Sequence, residues 1–235
     1  MKKIIICFLI VFTSSMTILS QSKKIDKLKI NYIESSQLKV DNRKLPIVKW
    51  ENKDTLKYSV NGKLKFMSKK NWGKFINEIE NLININIIET NNIQDSDIKI
   101  YFGELNDYFK IHRIKVPINL ISSNFDNWSN RNYNKNKQLT SASYCIVTSK
   151  TKNSKRGVYN LKKQFLKSLG LLGNLDNEYS IFYKSQTEGN SQLKRNDKRL
   201  IKIHYNDSIK AGMNSNEIKE VLNSIDLATI IKEKY

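Results

Sequence analysis

Between residues 56 and 102 the apolar positions follow two alternating rhythms. Leu56, Tyr58 and Val60 alternate with polar neighbours, the period of two that marks a half-buried strand. Asn61-Gly62 follows and Lys63-Leu64-Lys65-Phe66 resumes the alternation, so a β-hairpin is expected, with a connection into a helix as the alternative. Trp72, Phe75, Ile76, Ile79, Leu82 and Ile83 then recur at helical spacing, which predicts an amphipathic helix over 69–84 capped by Ser68. Ile98, Ile100 and Phe102 return to the strand period and end at Gly103.

The middle of the chain is less regular. Val116 to Ile121 reads as a strand, Ser122 to Gln138 as a surface loop rich in Ser and Asn, and Tyr144 to Val147 as a further strand. From Val158 the helical period returns. Leu161, Phe165, Leu166 and Leu169 share one apolar arc, while Lys163 and Lys167 sit together on a different side. Gly170 or Gly173 stops this helix. Two further helices are expected at 197–204 and 216–223, the last capped by Asn214 or Ser215. Residues 23–47 are polar and charged and read as an extended lead-in with one short strand. The order of elements predicts an α+β fold with a small mixed sheet and a helical C-terminal half.

The N-terminus changes the picture of where the protein works. Met1-Lys2-Lys3 precedes an apolar run from Ile4 to Phe12 and a small, polar stretch up to Ser22, the layout of a secretory signal peptide over residues 1–22. The apolar run is too short for a comfortable membrane crossing. Cleavage after Ser20 or after Ser22 fits the pattern, and Cys7 lies inside the apolar run, where a lipoprotein anchor would not place it. The expected product is exported, to a periplasm or the outside. It keeps one cysteine, Cys145, so no internal disulfide can form. About 210 residues then remain, enough for one domain with a real core, here expected over 48–235.

Removing Lys2 and Lys3 leaves 39 basic against 22 acidic residues, a net charge of +17. Nucleic acid is the first partner such a balance suggests. Export and the even spread of lysine argue against it. Anionic surfaces, lipid headgroups or acidic glycans, fit better.

One stretch carries a recognisable frame. Lys163-Gln164-Phe165-Leu166-Lys167-Ser168-Leu169-Gly170-Leu171 occupies the positions of the zincin motif HExxHxxGL. Ser180-Ile181-Phe182, Leu193 with Asp197, Tyr205, Gly212-Met213 and, upstream, Lys49-Trp50 follow the same order and spacing as in the DUF2927 family. The chain resembles that family, a zincin-like group of exported bacterial proteins of unassigned function, over roughly residues 45–222. The resemblance implies a zincin-like (metalloprotease-like) single domain with an active-site-type helix. The chemistry departs from the pattern. Lys163 and Lys167 stand at the first two ligand positions, Gln164 at that of the general-base glutamate, and Gly173 at the third ligand position.

Zinc requires His, Cys, Asp or Glu donors and an open position for water. The four-residue spacing aims two ammonium groups into the expected cleft instead, and Gln164 cannot take a proton from water. A remote metal site would have to use His112 and His204, the two histidines, with Asp197 or Asp207; zinc is kept as an alternative on that basis alone. Cys145 lies in a hydrophobic strand, where a free thiol is normally inert. Ser168 reads as a polar helix position, and the carboxylate pairs Glu78/Glu80 and Asp95/Asp97 as helix-surface and loop charges. Met213 would be either a methionine turn beneath the cleft, as the resemblance allows, or a core-filling residue on a turn.

The reading that results is an exported, non-catalytic, zincin-like protein with no cofactor. It would bind an extended or anionic ligand, a peptide, protein or glycan, in a groove lined by Lys163, Gln164, Lys167 and Met213. A divergent metallopeptidase or other hydrolase, and a structural protein held near an anionic envelope, are the rival expectations.

Overall fold

The structure is a computed structural model that describes residues 21–112, 125–151, 153–185 and 189–233. The signal-peptide reading and the strand expected at 116–121 fall outside those residues. Strand β1 (Lys39–Val40) and β2 (Arg43–Lys44) make a small antiparallel ribbon. β3 (Thr55–Asn61), β4 (Asn86–Glu89), β5 (Ile98–Gly103), β6 (Asn127–Tyr133) and β7 (Leu139–Val147) form a mixed sheet in the order β4-β3-β5-β7-β6. The first four of that order run parallel; β6 is antiparallel to β7 and forms one edge.

Seven helices lie among the described residues: α1 (21–36), α2 (Lys69–Ile83), α3 (Leu105–Ile111), α4 (Ser154–Ser168), α5 (Arg195–His204), α6 (Ser215–Ser224) and α7 (Leu227–Lys232). None is long and apolar enough to cross a membrane.

The period of two decides which sheet face meets which helices. Tyr58, Ile98 and Ala142 are register neighbours, as are Val60, Ile100 and Tyr144, and then Phe102 with Ile146. This face joins the main core with α1, α2, α4, α5 and α6. Cys145 and Val147 point the other way, into a smaller cluster with Leu105, Tyr108 and Phe109 of α3. Within the main core, Phe165 of α4 meets Trp72, Phe75 and Tyr58 edge-on at centroid distances of 5.3, 5.9 and 6.2 Å. Such edge-to-face contacts fix ring geometry as well as bury area, so Phe165 sets the rotation of α4 about its axis.

Several expectations are corrected. Residues 23–47 are not an extended lead-in. α1 buries Leu28, Tyr32 and Ile33 on one side, at the i, i+4 and i+5 spacing of an amphipathic helix, so it belongs to the domain. The expected hairpin at 56–66 is absent, because β3 takes parallel partners on both sides and its continuation leads into α2. The surface loop expected at 122–138 contains β6. Its sequence, NWSNRNY, carries a strand with few apolar residues because it lies at an edge. α4 begins at Ser154, four residues before the expected start, with the Asn153 side chain accepting from the Arg156 amide as N-cap. α2 is capped by Ser68, as its spacing predicts, and α6 by Asn214.

Candidate functional site

The carbonyls at the C-terminus of α4 have no partners within the helix and must find them elsewhere. Arg131 Nε donates to Lys167 O at 3.1 Å, Trp50 Nε1 to Ser168 O at 2.9 Å, and Tyr205 Oη to Leu169 O at 2.9 Å. Two of the residues that carried the family resemblance, Trp50 and Tyr205, are therefore end supports for this one helix. Lys49, beside Trp50, serves the turn after α5 instead, its ammonium donating to Asn206 O and Ile209 O and lying 5.4 Å above the Tyr205 ring. Asp197 is fully buried and accepts from Ser180 Oγ at 2.5 Å and from the Ile181 and Lys194 amides, so the Ser180-Ile181-Phe182 turn is hung from α5.

Gly170 leaves the helix at φ +105°, where a Cβ would lie 2.1 Å from Val48 O and 2.8 Å from His204 Nε2. Only glycine fits. Gly173 is excluded from bearing a side chain by a different neighbour. A Cβ there would lie 1.9 Å from Glu34 O, and the Gly173 amide donates to Ser35 O at 2.8 Å. The C-terminal end of α1 thus fills the space that a third metal ligand would need.

The motif positions on α4 separate into two environments. Lys163 is buried, and its ammonium donates to Tyr159 Oη (2.9 Å), Tyr183 O and Ser185 O (3.2 Å). Burial lowers its pKa to about 8. Its charge is spent on tying α4 to the 183–185 segment rather than lining an open groove. Gln164 is also buried. Its Nε2 donates to Asn127 Oδ1 of β6 at 2.7 Å, while Oε1 has no hydrogen-bond partner among the described residues. Lys167 is half-buried, with no carboxylate in ion-pair range among the described residues. Burial, then Lys163, then Arg131, lower its pKa to about 7.

Arg131 of β6 faces the same place. Besides Lys167 O it donates through Nη2 to Ser129 Oγ at 2.7 Å, and burial lowers its pKa to about 10. The carboxylate at the start of β6, Asp126, is already held by Arg156 Nε at 2.6 Å and Asn160 Nδ2 at 2.8 Å. The signal for Arg131 was hidden in sequence by a polar stretch that reads as loop.

The backbone of β6 completes the site. In an antiparallel ladder, hydrogen-bonded and non-hydrogen-bonded pairs alternate. The Val147 amide donates to Asp126 O, which sets the phase, so Asn127, Ser129 and Arg131 turn their N–H and C=O groups to the free edge. Among the described residues no strand pairs with that edge.

The other expected residues lie elsewhere. Met213 packs against the main core on a turn at Gly212 (φ +87°); its carbonyl accepts the Ile47 amide, the Gly212 amide donates to Ile47 O, and the Met213 sulfur accepts the Lys210 amide at 3.4 Å. His204 is fully buried, with Nδ1 3.2 Å from Tyr32 Oη and no hydrogen bond to Nε2 among the described residues; burial pushes its pKa down to about 3. Asp207 is exposed and does not join it. His112 ends α3 and packs on Tyr108 at 4.6 Å, in the smaller cluster, with its pKa lowered by burial and by Lys99. Sequence had grouped these three as an alternative metal set; the fold separates them. No group of three His, Cys, Asp or Glu lies together among the described residues. Cys145 is buried and its thiol is pushed up to about 12, chiefly by burial. Of the carboxylate pairs, Glu80 is no mere surface charge, since it accepts the Ile87 amide at 2.7 Å. A cavity of about 590 Å³ lies between Lys155, Tyr179, Tyr183 and Gln192.

No curated protein matches the chain. Residues 32–224, most of its length and including the end of α1, match the family described as protein of unknown function DUF2927, and the protein belongs to that family.

Proposed function

We propose that this is an exported, non-catalytic protein of zincin-like architecture that receives an extended peptide along the free edge of β6, beside α4. The observation that carries the reading is the contrast at the motif. The ligand and base positions of HExxHxxGL hold Lys163, Gln164 and Lys167, and Gly173 is sealed by α1, yet no strand among the described residues pairs with the edge beside them. An open edge offers a peptide main-chain hydrogen bonds, and neighbouring side chains select among sequences. Lysine and glutamine are not among the His, Cys, Asp and Glu donors of zinc sites, and an amide at the base position cannot take a proton from water. The short apolar run after Lys3 supports export.

Two measurements test this. The full exported chain, purified without a histidine tag, should carry no stoichiometric zinc and should melt at the same temperature with zinc or with chelator. A tightly held equimolar metal would refute the reading and favour a divergent metallopeptidase. Immobilised protein should also retain members of a random hexapeptide pool; retention of none removes the peptide-binding claim.

A further inference from the structure

Proceeding from the peptide-binding reading, the geometry points to a carboxylate-binding subsite formed by Arg131 and Lys167 where β6 meets the end of α4, so that the preferred ligand is a peptide bearing a free carboxylate. Arg131 uses one N–H on Lys167 O and one on Ser129 Oγ, and its remaining donors have no acceptor among the described residues. The Lys167 ammonium makes no side-chain hydrogen bond among them either. Two cations stand together here with Lys163 behind them. Asp126, the acid that precedes β6, is taken by Arg156 and Asn160. Charges held this close and this far from water need a counter-charge. The planar guanidinium suits a carboxylate, with its two oxygens in one plane, better than a rounder anion.

The backbone places the subsite on the peptide's path. Arg131 is one of the residues whose N–H and C=O face the free edge, so a chain paired with β6 passes its side chain. Lys163 is excluded from the subsite because its three donors are already engaged.

The test uses four matched hexapeptide pools, with free or amidated C-termini and with or without an internal aspartate, passed over the immobilised full chain. Pools carrying either carboxylate should be retained about tenfold better than the amidated, aspartate-free pool, which corresponds to ~1.4 kcal/mol. Preference for the free terminus identifies the α-carboxylate as the source; preference for aspartate identifies a side chain. Lys167→Gln keeps the Arg131 bond to the residue-167 carbonyl, and should abolish the preference while leaving the melting temperature in place. Lys70→Gln, an exposed lysine on α2, should leave the preference unchanged. Retention indifferent to both carboxylates would overturn the subsite but spare the peptide groove. A loss with Lys70→Gln equal to that with Lys167→Gln would also overturn it, as bulk charge would then explain the preference.

Discussion

Lys163 and Lys167 stand one helical turn apart on α4, yet one faces protein on all sides and the other faces a strand edge. Around Lys163 the motif has become structure: Tyr159, Tyr183 and Ser185 accept its donors, and a little further along, α1 closes over Gly173. Around Lys167 nothing comparable has happened. Its ammonium is held near two further cations, Lys163 and Arg131, and makes no side-chain hydrogen bond among the described residues. The difference teaches that two positions of one motif frame, a helical turn apart, can meet opposite surroundings. One half of the frame is a fastening between α4 and the 183–185 segment, and the other holds charge without a carboxylate partner among the described residues.

The sealed half should be the more sensitive to change. Gly173→Ala drives a Cβ into the backbone carbonyl of Glu34, which a rotamer change cannot relieve, and should cost about 3 kcal/mol in urea unfolding. An unaltered midpoint would mean that α1 does not hold this position. Beneath Gly170, buried His204 adds an acid weakness. Its folded pKa of about 3 lies below the unfolded value near 6.5, so the unfolded chain binds more protons between those values. Stability is fully present above pH 6.5 and falls as the pH drops through that window towards 3, by at most ~1.4 kcal/mol per pH unit. His204→Gln should flatten the slope.

Lys163→Met takes a donor from the Tyr183 and Ser185 carbonyls and should cost about 1–2 kcal/mol. Lys167→Gln removes a charge that has no carboxylate partner among the described residues, so the same unfolding measurement should change by less than ~0.5 kcal/mol, or show a slight gain. Equal losses from the two lysines would dissolve the distinction between the two halves.

The helix frame was legible in sequence because its apolar spacing is a packing requirement. Leu161, Phe165, Leu166 and Leu169 are all fully buried, and the glycine at 170 ends the helix region as expected. The different fates of the two lysines were not legible, because both occupy the polar side of a helical wheel. Their surroundings come from β6 and from 183–185, segments distant in sequence. β6 itself was missed since an edge strand with Asn at three of seven positions has no apolar alternation to betray it. α1 was missed although Leu28, Tyr32 and Ile33 carry a helical stripe, because the polar and charged residues around them masked it. Trp50 and Tyr205 stood out as family features, but their task, holding the last carbonyls of α4, appears only when the chain has folded back on itself.

That folding back has a consequence for the order of events during synthesis. α1 finds its partners late: Tyr32 meets His204, 172 residues on, and Lys29 bonds Asn223 Oδ1 at 2.7 Å across a separation of 194. Contacts between such distant residues form slowly and only after loop closure. A chain emerging N-terminus first has its opening helix ready long before the segment that must receive it. The bonds that fasten α1 to the rest of the fold therefore form only once residues near 204 and 223 have been made.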